Sequence, residues 1–89
     1  MPYTVDEVVQ RLNRGKQRAT YAALEGVCGG NRRNLMGSRD VVPLNSWIVA
    51  KKTGRPTGYP TSAIDPNLRL RRHVIDSGEE LREWLDLNP

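Results

Sequence analysis

The stretch SWIVAKKTGRPTGYP, from Ser46 to Pro60, has the pattern of a strand, a tight turn and a second, shorter strand. Its first half alternates between two faces, as in a strand with one buried side. Gly54 suits a turn, and Pro56 cannot donate to a sheet ladder, so the returning segment reads as an edge strand. We therefore expect a β-hairpin over about 46–60. Its tip carries three cations: Lys51, Lys52 and Arg55.

Two helices are predicted ahead of this hairpin. Thr4 and Glu7 have the spacing of a capping box, and apolar residues at helical intervals follow, which predicts a helix over Val5–Asn13. Thr20 can cap a second helix, and Gly29-Gly30 accepts the positive φ that ends one. A short third segment, residues 31–39, follows this glycine pair.

The second helix and this third segment together suggest a helix-turn-helix over about 20–39, in which Arg32 and Arg33 face outward. An αα-hairpin packed only for stability is the alternative. Together with the basic hairpin, these elements predict an α+β fold that is mostly helical. The simplest such fold is a single small winged helix-turn-helix domain over residues 1–89. A second capping box at Ser77 to Glu80 predicts a C-terminal helix over about 78–86.

The charge of the chain is concentrated in its middle. The net charge is +4 over 89 residues, yet the part from Arg11 to Arg55 holds ten basic residues and two acids. Such a field attracts a polyanion, because each phosphate neutralised by Lys or Arg releases counterions. A surface that carries charge only for solubility is the alternative.

The sequence offers little for catalysis or for a membrane. No serine, histidine and aspartate group, carboxylate pair or phosphate loop is recognisable, so we expect neither an enzyme nor a cofactor. Cys28 and His73 are the only residues of their types, which argues against a metal site and an internal disulfide. No apolar run is long enough for a bilayer, and the N-terminus lacks signal-peptide features. A cytoplasmic protein, nucleoid-associated if bacterial, is the expectation.

Several motifs point to a known family. GKQRATYAALEGVCGG, residues 15–30, contains Thr20-Tyr21 and then Leu24, and further on come Ser46-Trp47-Ile48-Val49 and Thr57-Gly58-Tyr59. In this order and spacing they resemble the DNA-binding domain of the O6-alkylguanine-DNA alkyltransferases and the alkyltransferase-like proteins. The resemblance covers about half of the chain. It implies a winged-helix fold, a role in DNA repair, and a place for Tyr21 beside the phosphate of a flipped nucleotide. A helix-start aromatic packed under the wing is the other role for Tyr21.

The chain departs from the family where the chemistry takes place. When the apolar pair Ile48-Val49 is aligned with the family, the reactive cysteine position falls on Asn45, its histidine on Ser46 and its arginine on Trp47. Alkyl transfer needs an activated thiolate, which an asparagine cannot supply. The resemblance therefore implies DNA binding without chemistry.

The sequence thus predicts a non-catalytic protein that binds double-stranded DNA. We expect Arg32, Arg33 and Arg39 in or over a groove, the hairpin cations on the backbone, and Arg14, Lys16 and Arg18 on flanking phosphates. One alternative is a sensor of alkylated DNA, which needs a cavity beside Tyr21 and Asn45. The other is a protein-interaction module that uses the exposed aromatic anchors Trp47, Tyr59 and Trp84.

Overall fold

The strand predicted at the start of the hairpin forms at one edge of a three-stranded parallel sheet. The computed structural model describes residues 3–29, 40–68 and 72–88. Within them, β1 (Arg18–Thr20) is the central strand, β2 (Ile48–Val49) lies on one side of it and β3 (Val74–Ile75) on the other. Both pairings are parallel.

The register of the sheet places its central strand in the middle of the core. Ala19 lies opposite Ile48 on one side and opposite Ile75 on the other. All three side chains are buried, as are both residues of β2. Burial on both faces is the normal state of a parallel sheet, which helices cover from either side.

The predicted antiparallel hairpin is wrong in its second half. Instead of a return strand, residues 50–58 form successive turns, closed by bonds from the Ala50 amide to the Arg55 carbonyl (2.9 Å) and from the Gly54 amide to the Ala50 carbonyl (2.8 Å). Gly54 and Gly58 adopt φ values of 67° and 77°, which break an extended run. Pro56 lacks an N–H and is buried, so it neither pairs nor points to solvent. We call residues 50–58 the basic loop.

The first helix was predicted correctly. α1 spans Val5–Gly15, and the Thr4 side chain accepts a hydrogen bond from the Glu7 amide at its start. It buries Val8, Val9 and Leu12. It extends two residues beyond the predicted end and closes at Lys16, which has a left-handed φ of 55°.

The second helix follows β1 without a loop. α2 spans Tyr21–Cys28, and the Thr20 side chain caps it by accepting from the Ala23 amide. Gly29, with φ 75°, ends it as expected. The remainder of the predicted helix-turn-helix, residues 30–39, lies outside the described residues.

The C-terminal helix also confirms its prediction. α3 spans Gly78–Leu87, with the Ser77 side chain accepting from the Glu80 amide. It packs on α2 at a point where a Cβ added at Gly26 would lie 2.8 Å from the Gly78 Cα. Two glycines therefore let these helices approach to backbone contact.

Short 3₁₀ turns at Pro43–Asn45 and Thr61–Ala63 complete the described part of the chain. The longest of its helices has 11 residues, and none of those described combines the length and hydropathy that a bilayer span requires.

Candidate nucleic-acid interface

The parallel sheet gathers polar residues at one edge. Parallel strands have their carboxyl ends on the same side of a sheet. The segments that follow β1, β2 and β3 therefore all begin on that side, as in larger open α/β sheets. Thr20 ends β1, Lys51 follows β2, and Asp76 follows β3. The Lys51 Nζ lies 2.9 Å from an Asp76 carboxylate oxygen.

The basic loop begins at this edge, and its cations lie on the protein surface. The side chains of Lys51, Lys52 and Arg55 are all exposed. Sequence analysis predicted that these three cations contact the DNA backbone, and the structure brings them together on one loop. Sequence analysis did not predict that side chains of β1 and α2 form hydrogen bonds with the backbone of this loop.

Arg18 is the first support of the basic loop. Its side chain is only 8 % exposed, although the sequence suggested an exposed phosphate contact. One guanidinium nitrogen donates to the Gly54 carbonyl (3.0 Å) and the other to the Arg72 carbonyl (3.4 Å). The guanidinium thus joins the basic loop to the segment before β3. The structure assigns Arg18 to the support of the loop and not to its outer surface.

Tyr21 is the second support. It is half-buried at the first position of α2, and its hydroxyl accepts a long hydrogen bond from the Thr57 amide (3.4 Å). This contact is consistent with an aromatic packed under the loop, one of the two roles expected for Tyr21. Arg18 and Tyr21 thus bond to the middle and the second half of the loop, at Gly54 and Thr57, and the buried Pro56 lies between these two points.

Asn45, which the resemblance would align with a reactive cysteine, has a structural role. Asn45 is 5 % exposed, and its amide donates to the Asp40 carbonyl (2.8 Å). The hydroxyl of Tyr59 donates to the Asn45 carbonyl (3.4 Å). These bonds keep the turn before β2 closed, and an amide in this role has no nucleophilic use.

Its two neighbours are structural as well. The Ser46 hydroxyl donates to the Pro43 carbonyl (2.6 Å) and accepts from the Asp65 amide (3.1 Å). Trp47 is fully buried and donates to the Asn13 side chain (2.8 Å). Trp47 is therefore a core residue and cannot be the exposed anchor that the protein-interaction alternative expected.

Two other cations of the basic region also have contacts within the domain. Arg11 pairs with Glu7 (3.5 Å) and lies over the ring of Tyr3 (4.9 Å from its centroid). The Lys16 ammonium lies 5.8 Å from the centroid of the Trp47 ring. Part of the positive charge counted in the sequence thus stabilises the fold.

A cleft of about 300 Å³ adjoins the basic loop. Its lining is mainly apolar and includes one cation and one carboxylate. The residues are Arg55, Thr61, Ile64, Asp65, Pro66 and Leu68. Neither Tyr21 nor Asn45 lines this cleft, so it is not the cavity that a lesion sensor was expected to have.

The predicted groove contacts lie outside the described residues; they are Arg32, Arg33 and Arg39. Burial, followed by the negative charge of Glu7, raises the pKa of the half-buried Cys28 thiol, which suits a packing residue and not a thiolate nucleophile. In the described ranges, no group of three or more His, Cys, Asp or Glu residues is placed to hold a metal ion.

No protein-family model, curated protein or solved structure matches the chain.

Proposed function

We propose that this protein is a non-catalytic DNA-binding domain that holds duplex DNA against its basic loop. One observation carries the proposal: three exposed cations lie on a loop whose backbone forms hydrogen bonds with the side chains of Arg18 and Tyr21. A loop that is already hydrogen-bonded to the domain loses less conformational entropy when its cations meet phosphates.

The chemistry of these cations suits a phosphate backbone. Lysine offers a point charge with three donors, and arginine a planar fork that matches two phosphate oxygens. Such contacts give affinity and orientation without sequence preference. On this proposal Lys51, Lys52 and Arg55 contribute an affinity that falls steeply with salt.

The winged-helix arrangement is part of the proposal. In it, α2 is the first helix of a helix-turn-helix, and the basic loop takes the place of the hairpin wing. Arg32, Arg33 and Arg39, outside the described residues, would supply the groove contacts. The resemblance to the alkyltransferases supports this arrangement, and Asn45 in place of their cysteine supports binding without alkyl transfer.

A second candidate function is protein binding. It is favoured by three neighbouring apolar residues that are unusually exposed, Val41 (50 %), Val42 (40 %) and Leu44 (37 %). A domain that works through this patch would bind duplex DNA weakly and with little dependence on salt.

A matched pair of variants tests the DNA proposal. Arg55→Gln removes an exposed arginine of the basic loop, and Arg82→Gln removes an exposed arginine from α3. Both change the net charge equally. We expect Arg55→Gln to weaken binding to a labelled duplex and to lower the slope of log K against log salt by about one, with Arg82→Gln close to wild type. Equal effects of the two variants would mean that the loop is not the interface.

A further inference from the structure

An exposed ion pair involves Lys51, the first cation of the basic loop. Lys51 and Asp76 are 2.9 Å apart, and their side chains are 79 % and 40 % exposed. The hydrogen bond between them lowers the pKa of Asp76 and raises that of Lys51, so both groups are charged near neutral pH. Lys51 is thus already paired with an anion in the protein without DNA.

The pair owes its existence to the topology of the sheet. Asp76 immediately follows β3, and Lys51 comes two residues after β2. These strands flank β1 in parallel, so both residues leave the sheet at one edge, on either side of Thr20. A side-chain hydrogen bond from Thr20 also lowers the pKa of Asp76.

We propose that Asp76 is an internal counter-ion that limits the affinity of the protein for DNA by occupying Lys51 until a phosphate takes its place. This inference rests on the proposed function and assigns a role to a residue outside the basic loop. An ion pair so exposed to water is weak, so a phosphate can compete for the ammonium. Asp76 then stays nearby as a like charge, which opposes the bound phosphate.

The inference predicts a gain of function. Asp76→Asn keeps the shape and a polar group but removes the charge. We expect duplex affinity at low salt to rise by about threefold to fivefold, the effect of one unit charge a few ångströms away in a watery environment. The slope of log K against log salt should steepen by about one, because Lys51 becomes fully available to a phosphate.

Two controls separate this mechanism from a general effect of net charge. Glu83→Gln removes one negative charge from an exposed position on α3 and should leave affinity nearly unchanged. When Lys51 is already replaced by Gln, Asp76→Asn should give no gain, so the double variant should bind no more tightly than Lys51→Gln alone. A gain that persists in the double variant, or that Glu83→Gln reproduces, would overturn the inference.

The experiment uses the full chain and fluorescence anisotropy with a labelled duplex, after circular dichroism has shown that each variant is folded. If Arg55→Gln weakens binding but Asp76→Asn does not strengthen it, the inference is wrong and the proposed function stands. If wild type binds and Asp76→Asn binds about threefold to fivefold more tightly, both proposals are supported. If neither binds, both proposals are wrong.

Discussion

Replacing Arg18 by methionine distinguishes the structural role of this residue from the DNA contact that the sequence suggested. Methionine keeps much of the apolar stem and removes the guanidinium. The Gly54 and Arg72 carbonyls then lose their donors, at 3.0 and 3.4 Å. Arg18→Met should therefore release the basic loop from β1.

The size of the effect follows from these two bonds. A hydrogen bond from a charged donor contributes roughly 1.5–3 kcal/mol, and the longer of the two contributes least. Both carbonyls are partly accessible to water, which offsets some of the loss, so we expect about 2 kcal/mol of destabilisation. For a domain of this size that is a fall of roughly 10 °C in Tm. With an m-value near 1 kcal/mol/M, the urea midpoint falls by about 2 M.

Urea denaturation followed by tryptophan fluorescence measures the stability, and Arg82→Met, an exposed arginine on α3, serves as the control with an expected change below about 0.5 kcal/mol. In duplex binding, Arg18→Met should reduce affinity through a looser loop but leave the salt slope unchanged. Unaltered stability together with a slope lowered by about one would refute this reasoning and return Arg18 to the DNA surface.

Three glycine substitutions test the packing directly. Gly54 and Gly58 both have a left-handed φ, so replacing either by alanine has a similar backbone cost of about 1–2 kcal/mol. Only at Gly54 would the new Cβ contact Arg18, at 2.9 Å from its Nη1. Urea titration should show Gly54→Ala to be the more destabilising by about 1 kcal/mol; equal losses would argue against the Arg18 anchor. Gly26→Ala should lower Tm, because overpacking against Gly78 costs about 1–3 kcal/mol and outweighs a helix-propensity gain of about 1 kcal/mol. A higher Tm would contradict this close approach of α2 and α3.

The helices were predictable because their signals are local. Thr4, Thr20 and Ser77 each accept the hydrogen bond that their position in the sequence predicts. A capping residue followed by apolar residues at helical spacing needs no tertiary information. For the same reason the positions of α1, α2 and α3 were predicted to within about two residues.

The sheet was not predictable in the same way. β1 and β3 are only three and two residues long, too short for periodicity to show. β1 also begins with a buried arginine, which conceals its position at the centre of the core. Pairing between segments some thirty residues apart is decided by tertiary packing, so the nearest segment, after the turn at Gly54, was the natural but wrong partner for β2.

For the candidate site, the sequence shows where the charge lies but not how it is used. Lys52 and Arg55 are exposed as expected, whereas Arg18 faces inward and Lys51 is paired with Asp76. From the sequence alone, an arginine at the start of a strand that binds a phosphate cannot be distinguished from one that binds a backbone carbonyl. Asp76 was not noticed, because the ion pair joins residues that only the parallel sheet brings together.

The most direct test of DNA binding by the basic loop is anisotropy of a labelled duplex titrated with wild-type protein at several salt concentrations, with and without one O6-methylguanine. We predict binding to both duplexes alike, with a slope of log K against log salt of about −2 or steeper, because Lys52 and Arg55 alone account for about −1.8. A clear preference for the modified duplex would instead indicate a lesion sensor. Absence of binding at low salt, or binding insensitive to salt, would contradict the proposed function.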